Sequence, residues 1–285
     1  MLLKFPKDQD DQQILKAGAT HFAMLKQRNR VSKRTVFLKE NTLIFVIHGY
    51  KLLHFDDTTV KVEAGSLLML KRGFYVMSDN VPDGLQFRSL LLYFSDEQLR
   101  RFLHKSGYTE PAQATAGHHL TVPLTPLLES FRNQYTDYFA HMQQLPPEVL
   151  ALKLYELFLL LTATPQKQQV LAFLQSIVRA QPADIAYIVR AHLFQPLSLA
   201  ELAKLSGRSL ASFKRDFQQL FQTSPKKWIN EQRLAHAHTL LRTTPAQVAE
   251  IAMECGFENV PHFIHIFRQR YGITPNSIRT KNAII

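Results

Sequence analysis

The chain has 285 residues, with 34 Lys and Arg against 23 Asp and Glu, for a formal net charge of +11 at pH 7. That length suits two domains with separate cores, and 46% hydrophobic with 20% charged residues excludes a disordered chain. A single cysteine, Cys255, excludes an internal disulfide and with it a secreted disulfide scaffold.

Residues Met1 to Asn29 are mixed and polar, which predicts a partly ordered lead-in. Met1-Leu2-Leu3-Lys4-Phe5-Pro6 runs into the charged Lys7-Asp8-Gln9-Asp10-Asp11, so no apolar signal-peptide core is read. The apolar run Leu157–Leu161 is far too short to span a bilayer. The expectation is a soluble, cytoplasmic chain that makes no use of a membrane. From Val31 the texture predicts strands at Thr35–Leu38, Leu43–Ile47, Lys51–Phe55, Val60–Glu63, Leu67–Leu70, Tyr75–Met77 and Leu85–Phe94. His48-Gly49-Tyr50, Asp56-Asp57, Ala64-Gly65-Ser66 and Arg72-Gly73 punctuate them as turns. Many short strands with frequent turns predict an antiparallel barrel or sandwich. The apolar strand Leu67–Leu70 either lines a pocket or fills a core, and both readings stay open.

Helices begin at Ser95-Asp96-Glu97-Gln98, the pattern of a capping box. A loop is predicted over Thr109–Leu120, then helices over Pro126–Met142, Pro147–Leu161 and Gln166–Ala180. The second is apolar nearly all round, which predicts burial on several sides. Two ways to bury it compete: inside its own domain, or in a homodimer seam around Leu150, Leu154 and Leu157. Breaks at Thr162-Ala163-Thr164-Pro165 and Ala180-Gln181-Pro182 predict a first domain over 1–180, with a β-barrel over about 31–94 and helices over about 95–180, and a second domain over 182–281. A helix Ala183–Leu193 is expected to lead the second.

The second domain repeats itself. Leu199-Ala200-Glu201-Leu202-Ala203, Gly207, Phe213, Phe217, Phe221 and Ser224-Pro225 return as Val248-Ala249-Glu250-Ile251-Ala252, Gly256, Phe263, Phe267, Tyr271 and Thr274-Pro275. A duplication of this size marks a repeated supersecondary unit, and each copy reads as helix-turn-helix. Ala203 and Ala252 permit close helix crossing, Gly207 and Gly256 accept the positive φ of the turn, and Ser209 and Asn259 cap the second helices. The aromatics recur at i, i+4 and i+8 and face inward. The stretch from Gln181 carries 13 Lys and Arg against 7 Asp and Glu, and the longer stretch before it 21 against 16. The positive charge is thus denser at the repeat, which favours DNA over a membrane surface as the polyanionic partner.

On those residues, with Phe213-Lys214-Arg215-Asp216-Phe217, Trp228-Ile229, Arg233-Leu234, Leu240-Leu241, Gly256-Phe257, His262-Phe263, Phe267-Arg268, Gly272-Ile273-Thr274-Pro275 and Arg279, the stretch Pro182–Arg279 resembles the DNA-binding domain of AraC/XylS transcription regulators. On fewer residues, Leu70-Lys71-Arg72-Gly73-Phe74-Tyr75-Val76 and Leu152-Lys153-Leu154-Tyr155-Glu156-Leu157, the first domain resembles the ExsA type of regulator of type III secretion genes. The resemblance implies an α+β two-domain protein. Its N-terminal part is a cupin-like antiparallel β-barrel with helices, and its C-terminal all-α part has two helix-turn-helix units joined by one long helix, about Pro225–Leu241. It implies a sequence-specific DNA-binding regulator, an activator by family habit, and RNA polymerase as a further partner. The signal received by the first domain is a small apolar effector or a regulatory protein.

In the first recognition helix Phe213, Phe217 and Leu220 are read as the inward face, leaving Ala211, Lys214, Arg215 and Gln218 outward beside the cap Ser209. Arg215 suits a two-pronged bond to guanine O6 and N7, Ala211 suits a thymine methyl, and Lys226 suits a phosphate. In the second, Pro261, His262, His265 and Arg268 face outward. The family usually has arginine where His265 stands and small polar residues near Val260 and Pro261, so this unit is expected to read fewer bases, to anchor on the backbone or to touch RNA polymerase. His265 would be a weaker, pH-sensitive contact.

The rival reading is a metal-binding cupin-type enzyme with an appended DNA-binding domain. No nucleophile elbow, phosphate loop or HExxH sequence is present. His48 and His54 stand apart with no carboxylate beside them, and His118-His119 is placed in a loop. The sequence therefore predicts no metal, no cofactor and no catalytic residue.

Overall fold

The structure, a computed structural model, describes residues 2–6, 13–17, 20–27, 31–55, 58–80, 87–108, 117–140, 146–179 and 183–282. The chain divides into two compact units, Met1–Ala180 and Gln181–Ile285. The predicted break at Ala180-Gln181-Pro182 lies outside the described residues, as does most of the predicted loop from Thr109.

Unit one is built on two sheets. Strands β1 (Leu3–Phe5), β4 (Val31–Leu38), β9 (Gly73–Asn80), β6 (Tyr50–His54) and β7 (Thr59–Glu63) form one, in the order β1-β4-β9-β6-β7. Strands β11 (His119–Pro123), β8 (Ser66–Leu70), β5 (Asn41–His48), β10 (Phe87–Phe94), β3 (Thr20–Gln27) and β2 (Gln13–Ala17) form the other, in that order. Pairing is antiparallel except between β1 and β4, where Leu3 stands opposite Val36.

The lead-in expected before Asn29 is instead three strands, and β3 is an inner strand with Phe22 opposite Leu92 of β10. The polar flanks hid a short apolar run, Phe22-Ala23-Met24-Leu25, whose four side chains are all buried. Likewise the end of the predicted 109–120 loop joins β11, with Val122 opposite Leu67.

The six-stranded sheet is covered on both faces. Phe22, Met24, Leu43, Phe45, Leu67, Met69, Leu90 and Leu92 face one core, and Ala23, Leu25, Ile44, Val46, Leu68, Leu70 and Leu91 the other. That resolves Leu67–Leu70: alternate residues fill two different cores, because successive side chains of a strand point to opposite faces, and a sheet buried on both faces reads as a continuous apolar run. The second core lies between the sheets, with Leu38, Leu53, Val62, Tyr75 and Met77 supplied by the five-stranded one. At its edge Asp79 is fully buried between Lys51 and Arg34, on adjacent strands. Beside these charges, Leu25, Val36, Ile44, Met77 and Leu91 line a cavity of about 20 Å³, room for about one water.

Helices α1 (Asp96–Lys105), α2 (Pro126–Ala140), α3 (Pro147–Thr162) and α4 (Lys167–Val178) contribute to the first core. The capping box at α1 is formed: the Gln98 amide donates to Ser95 Oγ at 3.2 Å, and the Ser95 amide to Gln98 Oε1 at 2.8 Å. Leu150, Leu154 and Leu157 of α3 are buried inside their own unit with Phe158 and Leu161. Of the two ways left open for burying this helix, the structure takes the first: these three side chains already fill the core of their own unit, and a homodimer seam around them is corrected. The face of α3 left open carries Leu152 and Leu159, 69% and 43% exposed.

The regular elements described in unit two are all helices: α5 (Ile185–Ala191), α6 (Leu199–Leu205), α7 (Leu210–Phe221), α8 (Pro225–Thr243), α9 (Val248–Glu254), α10 (Val260–Tyr271) and α11 (Pro275–Asn282). The 19 residues of α8 make a rod roughly 28 Å long at 1.5 Å per residue. Its buried positions Ile229, Arg233, Ala237 and Leu241 recur every fourth residue and form one stripe.

Candidate nucleic-acid interface

Each copy of the repeat builds the same local device. The hydroxyl of Ser198 accepts from the Glu201 amide at 3.2 Å while the Glu201 carboxylate accepts from the Ser198 amide at 2.7 Å. In the second copy the Gln247 amide donates to Glu250 at 2.8 Å. These bonds satisfy donors that a helix start leaves orphaned. Ala203 and Ala252 are buried where α6 meets α7 and α9 meets α10. Gly207 and Gly256 turn the chain at φ +72° and +83°, a region that side chains with a Cβ disfavour.

The recognition helices α7 and α10 are then capped alike. Ser209 Oγ accepts from the Ser212 amide at 3.1 Å, and Asn259 Oδ1 from the His262 amide at 2.8 Å. Phe213, Phe217, Phe263 and Phe267 are fully buried. Phe221 stacks on Phe217 with centroids 4.3 Å apart and leans on Trp228 of α8 at 4.8 Å. Tyr271 takes the matching place against Phe267 and His238, each at 4.7 Å. One inward assignment is corrected: Leu220 is 55% exposed. The third aromatic of the i, i+4, i+8 series, Phe221, fills the position against Trp228, and Leu220 lies one residue, about 100°, round the helix from it.

Ser209, Ala211, Lys214, Arg215 and Gln218 are exposed on the first unit, and Pro261, His262, His265 and Arg268 on the second. Arg215 lies along its own helix: its Nε donates to Asp216 Oδ1 and its Nη2 to Ser212 Oγ, both at 3.2 Å. Asp216 is shared with Arg208, whose Nε donates to it at 3.2 Å and whose Nη1 donates to the Ala183 carbonyl at 2.6 Å. Partial burial works against the charge on Asp216, yet the hydrogen bonds from Arg208 and Arg215 hold its carboxyl below the usual carboxylate range.

Arg233 is among the residues of the resemblance, but the sequence alone gives it no role. It stands on the apolar stripe of α8, and a lone cation on such a stripe is the signal that would have found it. Nε donates to the Leu193 carbonyl at 2.7 Å, Nη2 to the Gln195 carbonyl at 2.6 Å and Nη1 to the Gly256 carbonyl at 2.8 Å.

On the enzyme reading, Cys255 is fully buried, and burial, with Glu254 nearby, pushes its thiol up to about 12, the behaviour of a packing residue rather than a nucleophile. His54 bonds Ser78 Oγ at 2.9 Å and Thr59 Oγ1 at 3.2 Å, and His119 stacks on Phe55. Among the described residues no three or more His, Cys, Asp and Glu side chains group where they could hold a metal.

Two family descriptions match this chain: the ExsA N-terminal regulatory domain over residues 41–173 and a helix-turn-helix domain over 202–281. In both units the chain is similar to AraC-type transcription regulators. Among its relatives, the transcriptional regulator ExsA of Pseudomonas aeruginosa is 27% identical over 85% of this chain and 86% of its own length. The virulence regulon transcriptional activator VirF of Yersinia enterocolitica is 26% identical over 84% and 89%. Of solved structures, an AraC-type regulator from Chromobacterium violaceum is 32% identical over 36% of this chain and 93% of that one, with a TM-score of 0.33.

Proposed function

We propose that the chain is an AraC-family regulator that activates transcription by laying α7 and α10 into successive major grooves on one side of a DNA duplex. The observation that carries the reading is the duplication itself: two capped recognition helices with exposed outward faces, on one compact unit and joined by a single rod. Recognition helices on one face of B-DNA are about 34 Å apart, one helical turn. A rod that does not match straight DNA makes the duplex bend, at a cost of about 1–6 kcal/mol, and the affinity then depends on bases that are not touched.

In this reading Arg215 leaves Asp216 and Ser212 to bond a guanine, with Lys214 and Gln218 on neighbouring bases or phosphates and Ala211 on a thymine methyl. Ser209 keeps its capping bond and has its hydroxyl proton for a phosphate. Pro261, His262, His265 and Arg268 make the sparser contacts of the second unit, which also serves to anchor on the backbone or to touch RNA polymerase. The first unit receives the signal. The inter-sheet cavity of about 20 Å³ is far below the roughly 300–1,000 Å³ of small-ligand sites, and the hollow of about 360 Å³ on α2 and α3 is open to solvent, with Ser130, Gln134 and Glu156 in its lining; neither is an enclosed apolar site, which supports a regulatory protein over an apolar effector. A homodimer through α3 would use Leu152 and Leu159, not the buried face. The cytoplasm is the compartment this role requires, and no helix among the described residues is long and apolar enough to cross a membrane.

Selection of the full chain against a random duplex pool at low ionic strength tests the reading. We expect a site with two conserved blocks about one turn apart. Failure to retain any duplex would end the proposal.

A further inference from the structure

Among the described residues, the guanidinium of Arg233 ties the turn that leads into the first helix-turn-helix to the turn inside the second. Leu193 and Gln195 belong to the turn between α5 and α6, ahead of the first helix-turn-helix; Gly256 is the turn of the second. All three carbonyls accept from Arg233, at 2.6–2.8 Å, and the cation also lies 5.8 Å from the centroid of the Phe257 ring. The two backbones meet directly there: a Cβ on Gly256 would come within 2.8 Å of the Phe194 carbonyl oxygen and 3.0 Å of Arg233 Cζ. One turn along α8, His236 packs on the Phe194 ring with centroids 4.4 Å apart. Elsewhere α8 serves the units separately: Trp228 meets Phe217 and Phe221 of the first, while Leu234, Ala237 and Leu241 join the core of the second.

From this geometry we infer that Arg233 is a positioning residue that fixes the offset between the two recognition helices, and so the separation of DNA half-sites the protein accepts. A planar fork with donors in fixed directions holds three carbonyls in one arrangement, whereas a lysine ammonium on a flexible stem does not. A joint held this way makes the pair of recognition helices one rigid reader. A joint without it leaves two readers on a hinged rod, each able to dock with less regard for the other.

The inference rests on the two-helix reading proposed above, and one experiment separates them. The full-length protein selects its site from a random duplex pool, and that duplex is remade with one or two base pairs inserted between the two blocks. One insertion moves the second block by about 3.4 Å and about 34°. The wild type is expected to lose about tenfold or more in affinity per insertion, since misfit must be absorbed by bending or twisting the DNA. Arg233→Met and Arg233→Lys should bind the original duplex less tightly and show a much flatter profile, with a loss of about threefold or less per insertion. Thermal melting by circular dichroism accompanies each variant, and Arg233→Lys, which keeps the cation, carries the test if Arg233→Met unfolds. Variants weakened by the same factor on every duplex, with the wild-type steepness retained, would overturn the positioning role and leave the two-helix reading intact. A wild type indifferent to insertion would overturn both.

Discussion

The two helix-turn-helix units are alike where they face inward and unlike where they face out. Phe213 and Phe217 have their counterparts in Phe263 and Phe267, all fully buried, and the caps Ser209 and Asn259 make the same bond. Outward, Lys214, Arg215 and Gln218 of the first unit become Ile264, His265 and Arg268 of the second. Packing couples each inward residue to several neighbours, so those positions change little without loss of the core. The outward positions answer only to what docks on them. The difference suggests a division of labour, with the first unit reading sequence and the second holding on.

The largest effect should come from breaking the likeness. Phe213→Ala and Phe263→Ala are each expected to lower stability by about 3–5 kcal/mol, read by denaturant unfolding. A near-neutral result for either would mean that the two cores are not equivalent. The asymmetry comes next. Arg215→Ala should reduce preference at one base pair by about 1–3 kcal/mol, measured by repeating the site selection, and His265→Ala should do less. Equal losses would remove the division of labour. Lys226, exposed at the start of α8, sharpens it further. Lys226→Ala should weaken all duplexes alike and reduce the slope of log affinity against log salt by about 0.9; a changed base preference would make it a reader instead. The smallest effect tests a conformational difference. Both recognition helices end on a left-handed residue, Gln222 at φ +54° and Gly272 at φ +73°. Gln222→Gly should stabilise by up to about 1 kcal/mol, while Gly272→Ala should destabilise by about 1 kcal/mol. A Cβ at Gly272 meets nothing within 4 Å, so that loss would report backbone strain alone. Melting temperatures moving in the same direction would contradict this.

Much of unit two was legible because its devices are local. A cap and the amide it satisfies lie within three residues, a glycine turn within one, and an aromatic stripe repeats every four. The exposed faces holding Ser209, Ala211, Lys214, Arg215 and Gln218, and Pro261, His262, His265 and Arg268, follow from that period. Leu220 was misplaced because two inward candidates stood side by side, and contact with Trp228 favoured Phe221. Unit one was less legible for the same reason turned round. Which strand pairs with which, and what covers it, depends on residues far apart in the chain.

By itself, then, the sequence determined the repeat, its turns and caps, the basic balance and the alternation of strands with helices, since each is set by short-range geometry or by composition. Tertiary structure alone decided that Phe22–Leu25 is an inner strand, that α3 buries Leu150, Leu154 and Leu157 while exposing Leu152 and Leu159, and that Arg233 ties three distant carbonyls together. Burial and buried hydrogen bonds are properties of pairs of surfaces, and no stretch of chain specifies its partner from its own residues.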